Sequence, residues 1–139
     1  MAIIHGANGI VYFVHEWTGG FREDGIFRHP DTVDAVRAVD NTISALAPVL
    51  NSPSLPDLIS VSNPKIATMV KARDNVVYVF AVSMQSEPVR ASFTLRAASR
   101  TVVSVFDENR TLSVVRGQIA DDFDSYGVHI YRIARSDGG

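Results

Sequence analysis

Apolar positions along this chain follow two different periods, and the change falls in Pro48-Val49-Leu50-Asn51-Ser52-Pro53-Ser54-Leu55-Pro56, which holds three prolines. Such a proline cluster between periodic stretches marks a boundary. Ahead of it, Ile10-Val11-Tyr12-Phe13-Val14 is a continuous apolar run of strand length, the pattern of a strand buried on both faces between parallel neighbours. A polar, glycine-rich loop follows, His15-Glu16-Trp17-Thr18-Gly19-Gly20-Phe21-Arg22-Glu23-Asp24-Gly25. Its length marks it as functional or mobile rather than a plain connection. Val36, Val39, Ile43, Leu46 and Leu50 then recur at three- and four-residue spacing, which predicts a helix with one apolar face. Asp31 is the expected N-cap with Asp34 in the first turn, and Pro48 should end the helix within about a turn.

Beyond the boundary the pattern is strand-like, over 58–62, 66–72, 76–84, 89–96, 101–106, 111–116 and 127–134. Seven short strands with turns between them predict an antiparallel sandwich. Val89-Arg90-Ala91-Ser92-Phe93-Thr94-Leu95-Arg96 alternates strictly, which puts Val89, Ala91, Phe93 and Leu95 on the core face. Val76-Val77-Tyr78-Val79-Phe80-Ala81-Val82 is apolar throughout, as a central strand would be. Arg73-Asp74-Asn75 and Asp107-Glu108-Asn109-Arg110 are polar turn clusters whose Asn residues suit the left-handed conformation of a tight hairpin. The expected fold is therefore mainly β: an antiparallel β-sandwich of about seven strands preceded by one strand-loop-helix (βα) unit. Its divisions are 1–50 for the βα unit, 51–57 for a proline-rich linker and 58–135 for the sandwich.

Composition narrows the functions that such a fold could serve. The 139 residues are 46% hydrophobic and 20% charged with a net charge of −2, which suits a globular chain with a real core. Thirteen basic residues against fifteen acidic ones, without a Lys/Arg cluster, give no electrostatic footprint for nucleic acid. The absence of cysteine removes disulfides, thiolate zinc sites and thiol catalysis. No transmembrane run is present, so no membrane partner is expected, and the compartment stays unassigned.

The loop after a strand's C-terminal end faces the active site in a parallel barrel, which makes His15, Glu16 and Trp17 the candidate substrate-binding residues. Trp17 could offer a ring face to a sugar while His15 and Glu16 hydrogen-bond hydroxyls; the competing reading is one packed ring and two solvated neighbours. Glu16, Glu23 and Asp24 supply carboxylates, but glycoside hydrolysis needs two on opposite sides of the bond, so no catalytic residue is assigned. Glu23 and Asp24 read as solvated loop charges. His5 and His29 lack metal-ligand spacing, and Asp121-Asp122-Phe123-Asp124-Ser125 lacks the Gly and terminal Glu of a calcium loop. That stretch reads as an acidic turn with Phe123 anchored in the core, and no metal or cofactor is expected. His129, on the face opposite Val128 and Ile130, reads as a half-exposed strand histidine. Asn109-Arg110-Thr111 fits the glycosylation sequon, a short pattern that matters only in a glycosylating pathway.

Two stretches carry a resemblance, the opening 2–13 with His5-Gly6-Ala7, Gly9-Ile10 and Tyr12-Phe13, and the closing 122–133 with Asp122-Phe123, Tyr126, Val128-His129 and Tyr131. Together they resemble the C-terminal part of bacterial (β/α)8-barrel glycoside hydrolases, in which the last βα unit precedes a C-terminal β-sandwich. The resemblance implies a parent enzyme with its catalytic carboxylates on other barrel strands, and a partial glycoside hydrolase inactive alone. It also aligns His15, Glu16 and Trp17 with the end of the last barrel strand, where an aromatic meets the sugar. The alternatives are a free-standing sandwich binding carbohydrate or protein without catalysis, and a small enzyme assembled across subunits. One βα unit cannot close a barrel. The strand at 10–14 and the helix face of Val36, Val39, Ile43 and Leu46 are thus expected to be exposed and to drive homo-oligomerisation.

Overall fold

Alternation and hairpin chemistry build two antiparallel sheets. The computed structural model describes residues 1–96 and 102–135. A short 3-10 turn at Ile3–His5 opens the chain, and a second at Gly25–Arg28 leads into helix α1, Pro30–Leu50. The strands are β1 Ile59–Val61, β2 Ile66–Arg73, β3 Val76–Ser83, β4 Val89–Leu95, β5 Val102–Val105, β6 Arg110–Ser113, β7 Gln118–Phe123 and β8 Val128–Ala134. One sheet has the order β1-β4-β7 and the other β2-β3-β8-β5-β6, with every pairing antiparallel. Thr101, expected to begin the fifth strand, lies outside the described residues.

The two sheets close on one core. Phe93, Phe123, Ile119, Val79, Val103 and Tyr131 are fully enclosed between them. On β4 the inward residues are Ala91, Phe93 and Leu95, as the alternation requires. Strand β3, an inner strand of the larger sheet, is buried on both faces because α1 covers the side turned away from the sandwich: Val77, Val79 and Ala81 enter the sandwich, while Phe80 meets Leu46 and Val49 of α1 on the outer face. Asp74 and Asn75 both have positive φ, 50° and 60°, which matches the turn twist to the β2–β3 hairpin.

Four expectations need correction. The run at 10–14 joins no sheet: among the described residues, residues 8–13 make no backbone hydrogen bond, so its apolar composition alone does not make a strand. The residue before the helix is His29, with Pro30 opening the first turn, so Asp31 lies inside it, where its charge still suits the helix N-terminus. Residues 118–123 form β7 rather than an acidic turn, with Asp121 and Phe123 inward and Asp122 outward. Leu46 is buried and Val36 and Ile43 are half-buried, so only Val39 of the helix face stands well exposed. Pro48 lies within the last turn of α1, which ends two residues later.

Candidate functional site

The loop between the 10–14 run and α1 folds back on itself. Glu16 and Arg22 exchange two backbone hydrogen bonds of 3.0 and 2.9 Å, with Gly19 and Gly20 at positive φ in the turn between them. Glycine alone takes such angles without strain. This bridge places Trp17 beside Phe21, with ring centroids 4.7 Å apart and tilted by 46°. Phe21 stacks on His15 at 5.3 Å, and His15 meets Phe13 at 4.4 Å. Phe13, His15 and Trp17 are spaced by two, and the ring contacts run continuously from Phe13 to Trp17.

The three sequence-predicted site residues are thus neighbours in different surroundings. Trp17 is 69% exposed, whereas His15 is half-buried between two rings, with Nδ1 enclosed and without a hydrogen-bond partner. Glu16 turns the other way. Its Oε2 lies 3.6 Å from Arg28 Nη1 and 3.8 Å from His29 Nε2, and it accepts no hydrogen bond among the described residues. Asp24 pairs with Arg22 at 3.4 Å, and Glu23 is exposed. Of the three loop carboxylates, Glu16 and Asp24 are thus turned to cations, and Glu23 is in no ion pair among the described residues. Phe13, Phe21 and Arg28 are not among the residues that the sequence marks for the site, and His29 enters there only as a histidine without metal-ligand spacing; the two-residue spacing of Phe13, His15 and Trp17 is the available signal.

Gly25 fixes this loop to its base. A Cβ there would stand 2.4 Å from Glu16 Cβ and 2.8 Å from Glu16 N, so no side chain fits without displacement. Gly25→Ala should cost about 1–3 kcal/mol and shift the loop. Because Trp17 is the chain's one tryptophan, its emission spectrum together with the melting temperature checks this. An unchanged spectrum and melting temperature would show that Gly25 is not the constraint.

Beside the loop, Tyr12 donates its hydroxyl to Asp40 Oδ1 at 2.9 Å, and this bond raises the titration of the phenol. Between α1, the first turn and the outer face of β3 and β8 runs an apolar crevice of about 420 Å³, lined by Ile3, Ile10, Val39, Ile43, Phe80 and Ile130. Its volume lies within the range of small-molecule pockets, but few polar groups converge on it.

A second polar cluster lies at the end of the sandwich. Arg110 makes a bidentate contact with Asp121, Nη1 to Oδ1 at 3.0 Å and Nη2 to Oδ2 at 2.8 Å, and donates Nε to Glu108 at 2.8 Å. Tyr131 donates its hydroxyl to Asp121 Oδ2 at 3.0 Å. His129 sets Nδ1 2.5 Å from Glu108 Oε1 and Nε2 3.2 Å from the Asp122 carbonyl. Burial alone would raise the Asp121 titration, yet the hydrogen bonds from Arg110 and Tyr131 overcome it and hold the carboxyl below its ordinary range. Burial, then the Asp121 charge, raises the Tyr131 phenol. Every member faces another member or the backbone, so the cluster is a structural clamp between β6, β7 and β8.

No family model matches the sequence, and no curated protein matches it. Among solved structures, the fold is similar to an Anoxybacillus alpha-amylase described as a new glycosyl hydrolase subclass, with a TM-score of 0.51 and 13% identity over 70% of this chain and 21% of that one. It is also similar to AmyP in complex with maltose, with a TM-score of 0.50 and 15% identity over 65% of this chain and 18% of that one. These structural neighbours are glycoside hydrolases. The chain spans about a fifth of their length, and at such identity the likeness is one of fold.

Proposed function

We propose that the chain is a partial glycoside hydrolase: a structural or accessory β-sandwich at 58–135, joined through 51–57 to an apolar run, loop and helix at 1–50, without hydrolytic activity of its own. The observation that supports this reading most is the fold shared with a short part of larger alpha-amylases. The loop chemistry agrees with it, because Glu16 is engaged by Arg28 and His29, and Asp24 by Arg22. Both glycosidase geometries require two carboxylates on opposite sides of the bond, and these two are turned to cations of the same loop and helix entry instead. Incubating the purified chain with starch and maltotriose should release no reducing sugar above the buffer level. Release that disappears in Glu16→Gln would overturn the assignment.

Trp17 favours a second reading, a sandwich that holds carbohydrate without cutting it. Its exposed ring could stack on a sugar, with Glu16 and His15 as the polar neighbours. Titrating malto-oligosaccharides while following Trp17 fluorescence separates the two. A saturable change that is lost in Trp17→Ala and accompanied by no hydrolysis would put the binding module first.

A further inference from the structure

Val11 is 97% exposed, Phe13 75% and Phe21 53%, and with Trp17 they leave large apolar side chains in water along one short segment. Aromatic side chains present about 150–250 Å² each, so the three rings leave on the order of 400 Å² of apolar surface uncovered. That reaches the size of the largest apolar patch on an ordinary monomer and is about half of the ~800 Å² per partner in a standard interface. Val11 and the adjoining main chain extend it further.

We propose that a second copy of this chain covers the strip, in a two-fold dimer packed face to face. A two-fold contact sets the same patch against itself, so it needs a surface that does not repel its own copy. The strip comes close to that condition. Of the charges bordering it, Arg22 is paired with Asp24 at 3.4 Å and Glu16 with Arg28 and His29 at 3.6 and 3.8 Å, which leaves the exposed Glu23 as the one loop carboxylate in no ion pair among the described residues. A single such charge gives a partner selected by charge little to complement, whereas a copy brings the same aromatic surface. The packing is face to face because lateral pairing of the open 8–13 backbone would only lengthen the ribbon and leave the Val11 and Phe13 face in water. The helix contributes little, since Leu46 is already buried against Phe80. The dimer does not depend on the glycosidase reading.

Sedimentation velocity across the micromolar range, with iodide quenching of Trp17 on the same samples, tests this. The expected result is a dimer in which Trp17 is shielded and becomes accessible on dilution. Phe13→Asp should weaken the dimer at least about thirtyfold, the effect of losing a central interface anchor, while Val115→Asp on the distant β6–β7 turn leaves it unchanged. The dilution series reads the wild-type chain, so it decides the matter even if a variant misfolds. A monomer throughout, whether or not Trp17 holds a sugar, overturns the proposal. So does a dimer indifferent to Phe13→Asp with Trp17 open to iodide.

Discussion

Asp121→Asn should destabilise the sandwich by about 2–4 kcal/mol, seen as a lower urea midpoint with an unchanged slope. The side chain is only 9% exposed and holds Arg110 by two hydrogen bonds and Tyr131 by a third. Removing its charge leaves the partly buried guanidinium with Glu108 as its remaining counter-ion, and the lost bidentate partner dominates the cost of breaking such a pair. Arg110 is 33% exposed, so water takes up part of its charge and the cost falls below that of a sealed ion pair. Tyr131→Phe removes one hydrogen bond to a charged acceptor and should cost about 1.5–3 kcal/mol. Because both variants act on one carboxylate, the double mutant should fall short of their sum. Strict additivity would mean that the two bonds to Asp121 act independently.

The same carboxylate gives the chain a pH dependence with a defined sign. Asp121 titrates lower in the folded protein than the ordinary value of about 3.9, so its stabilisation is present above that pH and is lost as pH falls through the folded value. Tyr131 is displaced upward from about 10, so its contribution is intact below that pH and fades as pH rises beyond it. Melting temperatures should therefore hold across neutral pH and fall below about pH 4, and Asp121→Asn should flatten the acid limb. An acid limb as steep in that variant as in the wild type would assign the loss to other carboxylates.

The sandwich was legible because its strands carry their own instructions. Strict alternation fixed the faces of β4, and an unbroken apolar run marked β3 as the strand covered on both sides. Strand β7 is hidden because its inward Asp121 breaks the apolar alternation at the one position where a partly buried arginine partner makes a carboxylate acceptable. No local pattern announces Arg110, eleven residues away on another strand. At 10–14 the error ran the other way: apolar composition states what the segment would bury, but a strand also needs a neighbour to take its backbone bonds, and no described strand does so. The aromatic strip is half-legible: His15 and Trp17 stand in the polar loop directly after the apolar run, while Phe21 joins them only through the Glu16–Arg22 bridge.

Phe93→Ala should cost about 3–5 kcal/mol, the range for deleting a fully enclosed ring. Phe93 lies at the middle of the central strand of the smaller sheet, opposite Val61 and Ile119, with its ring 5.3 Å from Tyr131 and 6.2 Å from Phe123. Both sheets lose contacts to the resulting hole, so secondary and tertiary signals should collapse together at a lower urea concentration. Phe80→Ala provides the contrast. Its ring is equally well buried but on the outer face, against Leu46 and Val49 of α1, with Met69 and Ile130 around it. Truncating it removes the anchor of the helix and leaves the sandwich core intact, so α1 amides should lose exchange protection before those of β3, β4 and β8. That separation is what a division between 1–50 and 58–135 demands. If α1 and the sheets of Phe80→Ala instead exchange and unfold at one midpoint, the helix belongs to the cooperative unit of the sandwich and the boundary near residue 51 is only a change of pattern in the sequence.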